Sequence, residues 1–143
     1  MSTYAPILRV KRLHPDARIP TYAHVLDAGL DLHALEDTIL LGASPVSVRT
    51  GIAIEIEPGY EGQIRGRSGL ALKGILVVLG TIDAGYRGEL SASVYSGPPA
   101  PWEYRIAAGD RIAQVARAVV IEVPELSSSE RGERGFGSTG IKP

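Results

Sequence analysis

The sequence contains no cysteine. That excludes disulfide staples and thiolate metal centres, and it fits a reducing, cytoplasmic setting. Charge of neither sign dominates, since 15 Lys and Arg stand against 16 Asp and Glu. The bulk field therefore recruits neither nucleic acid nor an anionic membrane surface, and any anion binding must come from locally placed groups. Long apolar runs are missing too. The opening "MSTYAPILRVKRL" is too polar for a secretion signal, and nothing approaches a membrane span. Aromatic residues are scarce, and there is one phenylalanine. It stands at Phe136 in "RGERGFGSTG", among glycines that build no core around it.

What is plentiful is turn punctuation, with 17 glycines and 10 prolines. Between them lie short alternating stretches. "ILRVKRL" sets Leu8 and Val10 against Arg9 and Lys11, a half-buried strand. "VSVRTGIAIEIEPGY" sets Ile52, Ile54 and Ile56 against Glu55 and Glu57 until Pro58-Gly59 stops it. "ILVVLG" is a continuous apolar run rich in β-branched residues, as for a buried strand. "RGELSASVYSG" alternates up to the proline-rich "GPPAPW". In "DRIAQVARAVV", Ile112, Val115, Ala116, Val119 and Val120 recur at helical spacing. We read it as strand, because β-branched residues dominate its end and its neighbours are strands. A helical turn or two is expected only around "SGLALKG". The pattern predicts one all-β domain, a sandwich or barrel. From Ser127 onward the composition is that of a mobile segment. Ordering ten such residues costs roughly 10–20 kcal/mol of backbone entropy. Stacking Phe136 on one base returns only about 1–3 kcal/mol. Such a tail should order only over a ligand.

Five stretches couple glycine to polar or charged groups: "AGLDL", "GRSGLA", "GTIDAGYRGE", "GDRIAQ" and "RGERGFGSTG". Small residues let a backbone approach a ligand, and exposed N–H groups bind anionic oxygens. Singly, each has an ordinary explanation. "GRSGL" is a plausible turn and lacks the Lys-Ser/Thr pair of a Walker loop. Asp83 suits a turn, and Tyr86 suits a core edge. Two close Arg-Gly pairs are weak grounds for nucleic-acid binding. His14, His24 and His33 show no ligand spacing.

In order, however, the five stretches closely resemble the five motifs of the trimeric dUTPases, from Ala28 to Gly140. The resemblance implies a single-domain distorted β-barrel or jelly roll of the β-clip kind, with at most one short helix. Residues 1–126 would form the catalytic domain and 127–143 a flexible arm closing over the site. It implies hydrolysis of dUTP to dUMP and pyrophosphate, which limits uracil incorporation into DNA and supplies dUMP for dTMP synthesis. Asp83 would hold the attacking water and Tyr86 would lie against the deoxyribose. The hairpin of Gly80, Thr81 and Ile82 would read uracil through its main chain. Arg67, Ser68, Gly69 and Gln114 would meet the phosphates. Arg131 would reach the terminal phosphate, Phe136 would stack over uracil, and Gly137 and Ser138 would wrap the chain. Asp31 would act on Mg²⁺ through its waters, and the site would be shared within a homotrimer. Two departures stand out. Gly66 replaces a frequent proline before Arg67, and Val77 stands where many relatives carry asparagine. The nearest alternatives are a dCTP deaminase, alone or bifunctional, and a nucleotide-binding regulator without turnover.

Overall fold

The alternation at Ile7 to Arg12 forms β1 (Ile7–Arg12), with Leu8 and Val10 buried. The computed structural model describes residues 6–116 and 119–135. After β1 come β2 (Gly29–His33), β3 (Thr38–Leu41), β4 (Val46–Ile56) and β5 (Gly62–Ile64). A five-residue helix, α1 (Ser68–Leu72), precedes β6 (Ile75–Val77), β7 (Gly80–Ile82) and β8 (Glu89–Ser96). The described strands end with β9 (Glu103–Ile106), β10 (Arg111–Ala116) and β11 (Val119–Glu122). One five-stranded sheet runs β11-β1-β4-β8-β6, and three two-stranded sheets pair β10 with β2, β3 with β9, and β5 with β7. The β1–β11 pair is parallel and the other pairs are antiparallel. The architecture is all-β and jelly-roll-like, without a closed barrel among the described residues. Leu30, Leu32, Leu40, Ile52, Ile54, Ile75, Leu90 and Ile112 fill its interior.

Two irregularities explain where the sequence pattern strains. In β10 the register against β2 shifts between Arg111 and Ala113, so Ile112 is an extra residue. Ile112 and Ala113 are both buried, and the alternation resumes one position late at Val115. A bulge thus produces the three-residue step from Ile112 to Val115, whereas Val119 and Val120 belong to β11 in another sheet, so the segment read as one strand is two. In β4, two extra residues are accommodated against β8 between Arg49 and Ala53, centred on Gly51 at φ +70°. Glycine takes that conformation without strain. The Gly51 N–H donates to Glu89 Oε1 at 2.9 Å, its carbonyl accepts from Leu13 N–H at 2.8 Å, and the buried Thr50 hydroxyl donates to the Leu90 carbonyl. This buckle fixes Glu89, the first residue of β8, at which the connection from β7 ends.

One expectation needs correction. "ILVVLG" is not a fully buried strand: Ile75 is buried, whereas Val78 is 44% and Leu79 77% exposed. The reason is position. β6 is the outer strand of its sheet, and the chain leaves it after Val77 to enter β7. Alternation in "RGELSASVYSG" and the helix in "SGLALKG" are as expected.

The described part of the C-terminal segment lies along the β7–β8 connection. Ser127 donates through its N–H and hydroxyl to Glu55, and Arg87 Nε donates to the Ser127 carbonyl at 2.6 Å. Burial alone would raise the Glu55 pKa, but the Ser127 donors, with Arg87 and Arg9, hold it below its ordinary value. Further on, Ser129 donates to the Gly85 carbonyl, and Arg87 N–H to the Gly132 carbonyl at 2.7 Å. No helix among the described residues is long and apolar enough to cross a membrane.

Candidate active site

The turn after β7 brings Asp83 and Tyr86 together. Tyr86 N–H donates to the Asp83 carbonyl at 3.0 Å, closing the turn, and the Tyr86 hydroxyl donates to the Glu89 carbonyl at 3.0 Å. Burial, with Glu133 and Glu89 nearby, pushes the Tyr86 pKa up, so the phenol keeps the proton that this bond requires. Gly88 lies directly beneath the ring. A Cβ there would come within 2.4 Å of the Tyr86 hydroxyl and 2.6 Å of its ring carbon Cζ. Small size at Gly88, rather than any unusual backbone angle, is what lets the tyrosine lie flat on its own turn.

The expected hairpin is instead a turn, since β7 pairs with β5 rather than with the strand that follows. The turn opens onto a cleft lined by Ile64, Val78, Leu79, Gly80, Thr81, Ile82, Asp83 and Tyr86, and by Ser91 and Ser93 of β8. The exposed side chains of Val78 and Leu79 thus have a place: they are apolar lining of the cleft that also holds the Asp83 carboxylate. The carboxylate of Asp83 is 55% exposed and ion-paired with Arg131. The Arg131 guanidinium also lies over the Tyr86 ring, 5.7 Å from its centroid. Gly135 approaches the same ring, its Cβ position lying 3.4 Å from Cε2. The described arm therefore reaches the residues singled out in the turn. Phe136, Gly137 and Ser138 lie outside the described residues.

A second cleft gathers Asp27, Ala28, Gly29, Arg67, Ser68, Gly69, Lys73 and Gln114. Asp31 lies behind it, 7% exposed and shared between two guanidiniums, with Arg67 Nε at 3.1 Å and Arg111 Nη1 at 3.6 Å. Arg67 also donates to the Arg111 carbonyl at 3.2 Å. A buried carboxylate needs such pairing, and here it aims Arg67. Gln114 is held by its backbone, which exchanges hydrogen bonds with Arg65 at 2.9 and 3.0 Å. Its amide Nε2 donates to the Gly66 carbonyl at 2.9 Å. The departure at Gly66 therefore leaves an acceptor that positions Gln114.

Gly29 is the close-packed floor under that side chain, since a Cβ there would sit 2.3 Å from Gln114 Oε1 and 3.1 Å from Gln114 Cβ. Gly29→Ala is expected to swing Gln114 away from Gly66. The lost hydrogen bond costs about 0.5–1.5 kcal/mol. A melting curve and steady-state kinetics should show a small loss of stability and a severalfold higher KM.

The predicted residues thus fall into two sets. Gly80, Thr81, Ile82, Asp83, Tyr86 and Arg131 line one cleft; Arg67, Ser68, Gly69 and Gln114 line the other, with Asp31 behind them. The two clefts have no lining residue in common. Sequence reasoning passed over Arg111, although it lies inside "GDRIAQ", because its pairing with Asp31 depends on the β2–β10 register. It passed over Lys73 and Gly88 for the same reason, since proximity rather than pattern brings them in. No group of three or more His, Asp or Glu among the described residues is arranged to hold a metal ion. Asp31 has both oxygens directed at arginines, which suits hydrogen bonding to metal-bound water better than direct coordination.

Comparison with known proteins agrees with this geometry. Residues 15–140 match the dUTPase family model. The chain is 48% identical over 141 residues to the deoxyuridine 5'-triphosphate nucleotidohydrolase of Thermobifida fusca, covering 93% of this chain and 78% of that protein. It is 46% identical over 142 residues to that of Helicobacter hepaticus, covering 94% and 89%. The solved structure of the Staphylococcus bacteriophage 80alpha dUTPase with dUPNHPP superposes with a TM-score of 0.70 at 32% identity, covering 94% of this chain and 98% of that one. A dUTPase variant from phage phi11 of S. aureus, whose structure describes coordination of a structural Mg(II) ion, has a TM-score of 0.70 at 28% identity, covering 86% and 96%. With the motifs in order, the clefts formed around them and relatives matched over nearly the whole length, the chain belongs to the dUTPase family.

Proposed function

We propose that the protein hydrolyses dUTP to dUMP and pyrophosphate, with Asp83 holding the water that attacks the α-phosphorus. The observation that carries this reading is the placement of Asp83 and Tyr86 on one tight turn at the mouth of an apolar cleft. An ordinary aspartate, with a pKa of about 3.9, is a weak base at neutral pH. Its contribution is alignment of the water and acceptance of a proton as the bond forms, while positioning and charge stabilisation supply much of the rate. The Tyr86 ring, backed by Gly88, forms a hard wall against the sugar, where a 2′-hydroxyl would collide. The β7 backbone at Gly80, Thr81 and Ile82 reads uracil, whose donor and acceptor pattern cytosine inverts.

The phosphates are assigned to Arg67, Ser68, Gly69 and Gln114, with Arg131 leaving Asp83 to meet the terminal phosphate. Phe136, Gly137 and Ser138 would then close over the nucleotide. Asp31 fits behind a hydrated Mg²⁺, which when bound would neutralise phosphate charge and stabilise the leaving pyrophosphate. Because the two clefts of one chain share no lining residue, we assign a complete site to a homotrimer, in which the Asp83 cleft and the phosphate cleft come from different copies and the arm leaves the turn of its own chain to close over a neighbour's site.

The deciding assay measures pyrophosphate with dUTP, UTP, dCTP and dTTP, with and without Mg²⁺, and follows ammonia in parallel. Pyrophosphate from dUTP alone is expected. Ammonia from dCTP, or tight binding of a dUTP analogue without any pyrophosphate, would overturn the reading. In the same assay Tyr86→Ala should narrow the preference for dUTP over UTP by about tenfold or more, the scale of losing a steric exclusion. An unchanged ratio would place the sugar gate elsewhere.

A further inference from the structure

We propose that Lys73 is a further phosphate-binding residue, the cation of the phosphate cleft that no carboxylate among the described residues holds. This deepens the dUTP reading and rests on it. The charges around the cleft nearly cancel without this lysine. Arg67 and Arg111 share Asp31, and Asp27 on the rim adds a second negative charge while it accepts from the His24 N–H at 2.9 Å. With Asp110 beside Arg111 in the adjoining cleft, two guanidiniums stand against three carboxylates, which leaves no net positive charge to attract a polyanion. Lys73 lines this cleft and also the adjoining one formed by Arg67, Tyr104, Asp110 and Arg111. Among the described residues no carboxylate pairs with its ammonium. Among the described residues it is the one cation of this cleft that no carboxylate pairs.

Its placement is firm. Lys73 is the C-cap of α1, and its N–H donates to the Leu70 carbonyl. Gly74 follows at φ +82°, where a Cβ would lie 2.1 Å from the Gly97 carbonyl oxygen. That close approach locks the end of α1 against the proline-rich turn. Ser68 and Lys73 are therefore held at opposite ends of one helix, about 7.5 Å apart along its axis. A phosphate chain lying on Ser68 and Gly69 comes within reach of a flexible four-carbon stem anchored at that distance. Lys73 should therefore act on the β and γ phosphates, which enter this cleft, and hardly on an α-phosphate near Asp83.

The test uses the full chain with Lys73→Gln and Lys73→Arg. Lys73→Gln is expected to raise KM for dUTP about tenfold, equivalent to roughly 1.4 kcal/mol. Its kcat should stay within about threefold, and the salt dependence of KM should flatten. Inhibition by dUMP, which lacks the β and γ phosphates, should be nearly unchanged. Lys73→Arg should recover most of the loss. Lys73 is exposed, so both variants should melt like the parent. Equal weakening of dUTP and dUMP, or an unaltered KM, would overturn this assignment alone. A parent protein that releases no pyrophosphate would instead overturn the dUTP reading and this assignment with it.

Discussion

Asp83→Asn is expected to lower kcat by roughly two to four orders of magnitude, the usual worth of a positioned general base. Affinity for a non-hydrolysable dUTP analogue should stay within about threefold. The substitution is nearly isosteric and keeps the turn, because the bond that closes it runs from Tyr86 N–H to the Asp83 backbone carbonyl, not to its side chain. What disappears is a carboxylate that orients water and accepts its proton. The ion pair with Arg131 disappears too. That pair competes with the assigned role of Arg131 on phosphate, so its loss should not weaken binding. Equilibrium binding and single-turnover pyrophosphate release, measured on the same preparation, separate the two effects. Undiminished turnover would remove Asp83 from the chemistry.

Truncation after Glu130 should be comparably damaging to turnover, at roughly 100-fold or more, for a different reason. It removes Arg131, Gly135 and Phe136 together, and with them the closure that excludes bulk water and places a cation on the phosphates. Stability should fall only modestly. The anchors at Ser127 and Ser129 remain, and the lost pair between Arg131 and a half-exposed Asp83 is worth about 0–1 kcal/mol. The Arg87 N–H bond to the Gly132 carbonyl goes with it, at about 0.5–1.5 kcal/mol. The melting temperature of the empty protein should therefore fall by a few degrees at most. A large fall would mark the arm as part of the fold instead. One condition deserves control: the Glu55–Ser127 anchor holds Glu55 below its ordinary pKa, so its stabilisation is present above the unfolded-state value and fades as pH falls through the depressed folded value. Both proteins should be compared near neutrality.

Much of the fold was legible in the residues because strand alternation and turn chemistry are local. Leu8 and Val10, the alternating β8, and the short helix after Arg67 needed no knowledge of what they would touch. The candidate residues were legible too, as ordered glycine-rich stretches resembling a known family. Where local reading strained, a partner strand was the missing information. The helical spacing after Asp110 comes from a bulge in β10 against β2 and from the passage to β11 in another sheet, and "ILVVLG" is half exposed because it lies at a sheet edge and turns into a cleft wall.

The sequence by itself determined the strand-rich class, the core faces and the identity of the polar groups, since each follows from side-chain chemistry and near-neighbour spacing. Only the tertiary structure decided who partners whom: Asp31 between Arg67 and Arg111, Tyr86 over Gly88, Gln114 over Gly29, and Lys73 unclaimed beside them. Electrostatics and close packing act through space over a few ångströms, and residues distant along the chain reach that range only when strand register brings them there.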